Sequence, residues 1–268
     1  MAIWDDINTY AKHWVLEAGK RIRDSFSKEL LIQTKSNPDD LVTNIDKETE
    51  QFFIRKISHQ FPSHQILGEE GLGDEVSSLS GVVWIIDPID GTMNFVHQQR
   101  NFAISVAVFE DGVGKIGIIY DVVNDELFHA ARGAGAYVNG LKIKPLSETP
   151  INEAIIGINA TWLMENKRID HHVFVPLVKA VRGTRSYGSA ALEIAYVVTG
   201  RLDAYISMRL SPWDFAAGIV LIEEVGGVAT TLDGKPLNLL QENTIFFAKR
   251  NLHKEITTKY INGKKAGK

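Results

Sequence analysis

The run Trp84-Ile85-Ile86-Asp87-Pro88-Ile89-Asp90-Gly91-Thr92 places two carboxylates, a glycine and a hydroxyl at the end of a continuous apolar stretch. Val82 to Ile86 are strand-forming residues with no polar alternation, which predicts a strand buried on both faces. Such strands present ligand-binding groups at their carboxyl ends. Pro88 cannot continue a ladder, so the chain turns after Asp87 and can bring Asp90 back beside it. Two carboxylates held close repel each other unless one is protonated or a cation lies between them, and hard oxygen ligands favour Mg²⁺, Mn²⁺ or Ca²⁺. Gly91 permits close backbone approach to a ligand, and Thr92 is placed to cap a helix whose exposed N–H groups would hold a phosphate. Asp-Gly is also common in surface turns, but a surface turn needs no second Asp at the end of a buried strand.

Two further segments bring acids to similar places. Gln65-Ile66-Leu67-Gly68-Glu69-Glu70-Gly71 predicts a short strand ending in paired glutamates. Pro212-Trp213-Asp214-Phe215-Ala216-Ala217-Gly218 opens a helical pattern with Asp214 at or near its N-terminus and small residues behind it. An acid at that position is also an ordinary helix cap.

With these segments in view, the chain resembles the inositol monophosphatase family of Mg²⁺-dependent, lithium-sensitive phosphatases. The resemblance is carried by Gly68-Glu69-Glu70, by Asp87-Pro88-Ile89-Asp90-Gly91-Thr92-Met93-Asn94-Phe95 and by Trp213-Asp214-Phe215-Ala216-Ala217-Gly218. Asp40-Leu41-Val42-Thr43-Asn44-Ile45-Asp46 also matches the family's segment before its second helix, so the similar region runs from about Lys35 to Gly227. It implies an α+β or α/β fold, a layered αβαβα sandwich of the inositol monophosphatase and fructose-1,6-bisphosphatase type. The active site is expected between a portion 1–150, carrying most metal ligands, and a portion 151–268, supplying Asp214 and substrate contacts.

The resemblance also implies roles residue by residue. Glu69, Asp87 and the backbone carbonyl of Ile89 would hold one metal, and Asp87, Asp90 and Asp214 a second, with a third, weaker ion near Glu69. Asp46 and Thr92 would lie beside the attacking water, and the amides of Gly91 and Thr92 would receive the phosphate. The implied cofactor is Mg²⁺, two or three ions per site, with Mn²⁺ as a substitute and Li⁺ and Ca²⁺ as inhibitors. The implied chemistry is metal activation of water and in-line attack on a phosphomonoester, without a phosphoenzyme. A homodimer is implied as well.

Substrate contacts are expected from Gly188, Ser189 and Ala190, and from an acid seven residues before the last metal-binding Asp, where this chain has Ser207. A serine is shorter and uncharged, which weakens selection of inositol hydroxyls. Arg209 lies two residues on; facing the cleft it would hold a second substrate phosphate, and otherwise it is an exposed strand-end arginine, and the same two readings apply to Arg185. Relatives act on inositol phosphates, fructose 1,6-bisphosphate, histidinol phosphate and nicotinamide dinucleotide phosphates, and the sequence does not choose among them. A reading of another class, a regulatory RNA- or protein-binding member of the family, shares the fold without the catalysis.

Other chemistries are excluded by composition. There is no Cys, which removes thiolate catalysis, disulfides and thiol-ligated zinc. The eight His form no metal-binding pattern, and the pair His171-His172 fits a solvated helix start. Gly112-Val113-Gly114-Lys115-Ile116-Gly117 matches a dinucleotide fingerprint on paper, but it leads into a strand where the fingerprint needs a helix. A β-hairpin joining Ala103–Glu110 to Lys115–Val122 accounts for its glycines.

The elements that must position these groups follow from patterning. Helical spacing runs from Ile3 to about Phe26 and, capped by Thr43 or Asn44, to about Gln60. Strands dominate from Val82 to Tyr137, and helices are predicted near Val173–Val181, Ala190–Val198, Trp213–Val225 and Leu252–Ile261. Lys35 to Asp40 is a candidate mobile flap and Lys264 to Lys268 a frayed end. With 268 residues and 44% hydrophobic content the chain can bury a substantial core as one large domain or two fused halves. A net charge of −4 gives no general affinity for nucleic acid or anionic membrane. No apolar run approaches the ~20 residues that span a bilayer, the amino terminus lacks a signal peptide's pattern, and the expected compartment is the cytoplasm.

Overall fold

The computed structural model describes residues 2–27, 30–34 and 41–262. The flap expected at Lys35 to Asp40 and the frayed end expected at Lys264 to Lys268 lie outside the described residues. The chain begins with α1 (Ala2–Ser25), an antiparallel ribbon of β1 (Ile32–Thr34) and β2 (Leu41–Thr43), and α2 (Asn44–Gln60). Then come β3 (Gln65–Gly68), β4 (Val82–Asp90), α3 (Thr92–Gln98), β5 (Ala103–Glu110), β6 (Val113–Asp121), β7 (Glu126–Ala131), β8 (Gly135–Val138) and β9 (Leu141–Lys142). Strands β3 to β9 form one seven-stranded sheet in chain order, antiparallel except for the β3–β4 pair.

The second half supplies β10 (Ile155–Ile158), α4 (Phe174–Ala180), β11 (Gly183–Arg185), α5 (Ala190–Val198), β12 (Ala204–Leu210), α6 (Pro212–Glu224), β13 (Val228–Thr230), β14 (Asn243–Ala248) and α7 (Arg250–Ile256). Its five strands form a mixed sheet in the order β11-β10-β12-β14-β13.

Strand alternation assigns the layers. On β4 and β5, Trp84, Ile86, Val106 and Val108 pack with Ile7, Val15 and Phe53 of α1 and α2. The alternate residues Val83, Ile85, Ala107 and Phe109 pack with Ala195 of α5 and Ala217 and Leu221 of α6. Tyr205, Ile245 and Phe247 of the second sheet meet the same two helices, while Ile206, Phe246 and Ala248 meet Phe174, Leu177 and Leu252 of α4 and α7. The molecule is therefore the αβαβα sandwich expected from the sequence. Burial on both faces is why β4 reads as an unbroken apolar run.

Small residues let the central helices sit close. A Cβ on Gly117 of β6 would lie 2.4 Å from the Ala217 carbonyl oxygen, and one on Gly218 would lie 2.4 Å from Cγ2 of Ile194. The Gly-rich stretch at 112–117 is a hairpin, as expected, turning through Asp111 and Gly112 at φ 49° and 77°. Among the described residues no helix is long and apolar enough to cross a membrane.

Candidate active site

At the carboxyl end of β4 the pairing with β5 shifts register between Asp87 and Asp90, where Pro88 has no N–H to give the ladder. The turn is held by the Ile89 N–H, which donates to Asp87 Oδ1 at 2.9 Å. The sequence predicts Thr92 as the cap of the next helix, but the cap is Gly91, in the left-handed region at φ 96°, and Thr92 is the first helical residue. Glycine adopts that conformation without the steric penalty a side chain would bring. The Thr92 hydroxyl is thereby turned inward, 3.1 Å from both Asp46 Oδ1 and the Ile89 carbonyl oxygen. The first N–H groups of α3 have no intrahelical partners and open onto the same place.

Each remaining acid is fixed by its own element. Asp46 is buried in the first turn of α2, where it and Thr43 form a reciprocal capping box. Asp214 occupies the corresponding position of α6, accepting from the Ser211 N–H at 2.8 Å. It is a helix cap and a cleft residue at once. Asp90 Oδ2 accepts from the Ala191 N–H at 2.8 Å and from the Ser189 hydroxyl, with the Ala190 N–H also contributing. Glu69 follows β3, its N–H donating to the Ile86 carbonyl at 3.2 Å.

The carboxylate oxygens of Asp87, Asp90 and Asp214 come within 4.8 Å of one another, and Glu69 hydrogen-bonds Asp87. Burial first, and then the charges of their neighbours, push Asp87 and Asp214 well above the usual carboxylate range. Asp90 is pushed up to about 6, by burial against the hydrogen bonds that favour its charge. Burial likewise raises Asp46 to about 6, with Glu69 adding repulsion. Arg209 offsets part of the effect at Asp214. A donor set of hard oxygens whose protein environment leaves their charges so poorly compensated fits a hard divalent cation.

Asp46 apart, which is fully buried, these groups line an open cleft of about 480 Å³, whose wall also includes Leu41, Gly91, Met93, Gly188, Arg209 and Glu242. The other expected substrate contacts are placed differently. Ser189 is buried and spends its hydroxyl on Asp90, and Ala190 is the buried first residue of α5, so both position an acid from behind. Ser207 is buried off the cleft wall, 3.5 Å from the Arg209 carbonyl, because strand alternation turns it toward the central helices. Arg185 is exposed outside the cleft, donating to the Thr184 carbonyl. His171 and His172, capped by Asp170, likewise form a surface helical turn away from it.

Three acids important to this geometry were not singled out by sequence patterning. Glu50 of α2 is buried and accepts from the N–H groups of Glu70 and Leu72, both at 2.8 Å, clamping the turn that carries Glu69. Gly68 makes room for it, since a Cβ there would lie 2.4 Å from the Glu50 carboxyl carbon. Glu193 of α5 accepts from the Tyr187 N–H at 2.8 Å behind the Gly188 wall, and burial raises it to about 7. Glu242 comes from the loop before β14. The available signal for Glu50 was its spacing of four from Asp46, one helical turn along a face that continues into Phe53 and Ile57.

Comparison with known proteins bears on this site. The sequence profile of the inositol monophosphatase family matches residues 4–263. The inositol-1-monophosphatase of Bacillus subtilis (strain 168) is 62% identical over 265 residues, covering 99% of this chain and 100% of that protein. The crystal structure of inositol monophosphatase II from Staphylococcus aureus MSSA476 superposes with a TM-score of 0.89 at 44% identity, covering 98% of each chain. A crystal structure of an IMPase/NADP phosphatase complexed with Mg²⁺ and phosphate superposes with a TM-score of 0.88 at 30% identity, covering 95% of each chain.

Proposed function

The chain belongs to the inositol monophosphatase family, and from that membership as a phosphoric monoester hydrolase we propose that it hydrolyses small phosphorylated metabolites, inositol monophosphates among them, with Mg²⁺ as cofactor. The observation that carries the metal dependence is the convergence of Asp87 and Asp90, both buried, with the half-buried Asp214, their oxygens within 4.8 Å of one another and too little positive charge between them. That a similar protein is described as complexed with Mg²⁺ and phosphate supports the same reading.

Asp87, Asp90 and Asp214, with Glu69 beside Asp87, are the groups that would hold the cation. Bound there, Mg²⁺ supplies Lewis-acid charge that favours ionisation of an attacking water and stabilises the negative charge of the phosphoryl group and leaving oxygen. The N–H groups at the start of α3, beginning with Gly91 and Thr92, are placed to receive phosphoryl oxygens. Thr92 can donate to Asp46 at 3.1 Å and accept a proton of the attacking water through its free lone pairs, orienting that water for in-line attack. Asp46, raised to about 6 and held by Thr43, is charged above that pH and keeps the Thr92 hydrogen pointed away from the water. Ser189 and the first N–H groups of α5 hold Asp90 in place.

The test is release of inorganic phosphate from inositol 1-phosphate, fructose 1,6-bisphosphate, histidinol phosphate and NADP⁺, with Mg²⁺ and with chelator. Mg²⁺-dependent release from at least one is expected. No release from any of them by folded protein that binds Mg²⁺ would contradict the proposal and favour a binding role on the same scaffold.

A further inference from the structure

The chain between β11 and α5 forms the cleft wall at Gly188, and one peptide unit of it is held from both sides. The Tyr187 carbonyl accepts from Asn94 Nδ2 at 2.7 Å, and the same amide group donates to the Asn101 carbonyl at 2.8 Å. Asn94 is buried in the first turn of α3, the helix whose N-terminus is placed to receive the phosphate. On the opposite side Glu193 Oε1 accepts from the Tyr187 N–H at 2.8 Å and from the Gly188 N–H at 3.4 Å. The C=O and N–H of a trans peptide point in opposite directions, so the two side chains together fix the plane of the 187–188 peptide. Gly188 sits at φ 76°, a conformation that glycine enters and leaves readily, so the glycine itself does not resist a flip. Its own carbonyl packs against the cap of α3, since a Cβ on Gly91 would lie 3.1 Å from the Gly188 oxygen.

Glu193 holds this peptide at a cost. It is 3% exposed within the central helix layer, and its Oε2 is buried without a hydrogen-bond partner. A buried polar atom left unpaired destabilises the fold, and a leucine would fill the position without that loss. What the acid contributes is the acceptor for the Tyr187 and Gly188 N–H groups. With its N–H turned to Glu193, Gly188 has only its Cα and carbonyl to present to the cleft, groups that attract no phosphoryl oxygen and suit the uncharged part of a substrate. We propose that Glu193 is a positioning residue for substrate: by fixing the 187–188 peptide it holds the Gly188 wall in the shape that binds the part of the substrate beyond its phosphate. This rests on the phosphatase reading and deepens it. Glu193 acts through the wall rather than on the reacting atoms, so its effect falls on KM more than on kcat.

The experiment measures kcat and KM at saturating Mg²⁺ for whichever of the four phosphates named above the wild type hydrolyses best, together with the inhibition constant of inorganic phosphate, in wild type, Glu193→Gln and Glu193→Leu. Glutamine keeps an acceptor oxygen for the two N–H groups, and leucine fills the space without one. Glu193→Leu is expected to raise KM by about fivefold or more, the scale of one lost buried hydrogen bond. Its kcat and its inhibition by inorganic phosphate, which engages the acids and the α3 N-terminus alone, should stay within about twofold of wild type, and Glu193→Gln should bring KM back to within about twofold. Should Glu193→Leu not fold, Glu193→Asp, which draws the carboxylate back by one methylene, is expected to raise KM in its place. An unchanged KM in the folded variant would overturn the inference. So would a parallel worsening of KM, kcat and phosphate inhibition, which would make Glu193 a packing residue for the whole site, and so would a Glu193→Gln variant as impaired as Glu193→Leu, which would assign the effect to charge. Each of those results leaves the phosphatase reading standing, whereas a folded wild type that hydrolyses none of the four overturns that reading and the inference with it.

Discussion

Removing divalent cation should destabilise the protein, and by an amount that grows with pH. Asp90 is pushed from an ordinary 3.8 up to about 6 in the folded protein. Between those values the folded state holds a proton that the unfolded chain has released, so stability falls as pH rises through the folded value and the full cost is present above it. A gap of about two pH units corresponds to about 3 kcal/mol for Asp90 alone. Asp87 and Asp214 shift the same way and add to the effect. A cation competes with those protons, so Mg²⁺ should stabilise strongly at pH 7.5 and weakly at pH 5. At one hundred times the dissociation constant the gain is about 2.7 kcal/mol for one site, or about 5–10 °C in Tm for a chain of this size. The assay is calorimetry on chelator-treated protein with and without Mg²⁺ at constant ionic strength. Burial lowers His64, His129 and His253, and their linkage to stability has the opposite sign. Their contribution is common to both arms and cancels in the Mg²⁺-induced difference. An equal gain at the two pH values, or no gain at either, would refute the electrostatic reasoning.

Three substitutions probe separate parts of the site. Thr92→Ala removes the hydroxyl beside Asp46 and should lower kcat by about 10²-fold or more while the Mg²⁺-induced rise in Tm persists; steady-state kinetics and calorimetry check the two halves. Glu50→Ala removes the buried carboxylate that accepts from the part-buried Glu70 and Leu72 N–H groups, at about 1 kcal/mol each, and should weaken Mg²⁺ binding in a calorimetric titration by loosening the Glu69 turn. Gly117→Ala drives a Cβ into the Ala217 carbonyl and should cost about 1–3 kcal/mol in urea unfolding, with weaker Mg²⁺ binding because α6 carries Asp214.

Much of the fold was legible because local chemistry and tertiary placement agree. The apolar run before Asp87 has layers packed on both sides, and Asp214 follows Ser211 and Pro212 at a helix start. What was not legible depends on pairings distant in sequence. Ser189 looked like a substrate contact until the fold brought Asp90 against it, and Arg209 acquires its aim from a bulge set by the register with β14. Thr92 and Gly91 exchange the expected capping role because a left-handed turn there admits only the glycine readily. Glu50 is one acid among several on a charged helix, and its burial under the Glu69 turn has no local signature. The short strands Gly183–Arg185 and Val228–Thr230 are held by their sheet neighbours, and too few residues carry a periodic signal.

The most direct test is phosphate release from inositol 1-phosphate by Asp87→Asn, measured alongside Mn²⁺ binding and circular dichroism on the same protein. Asp87 sits at the centre of the acidic cluster, hydrogen-bonded to Glu69 and close to both Asp90 and Asp214. Loss of turnover and of tight Mn²⁺ binding with the folded spectrum retained is the predicted result. A folded variant that turns over at the wild-type rate would contradict the assignment of these acids as the metal-dependent centre.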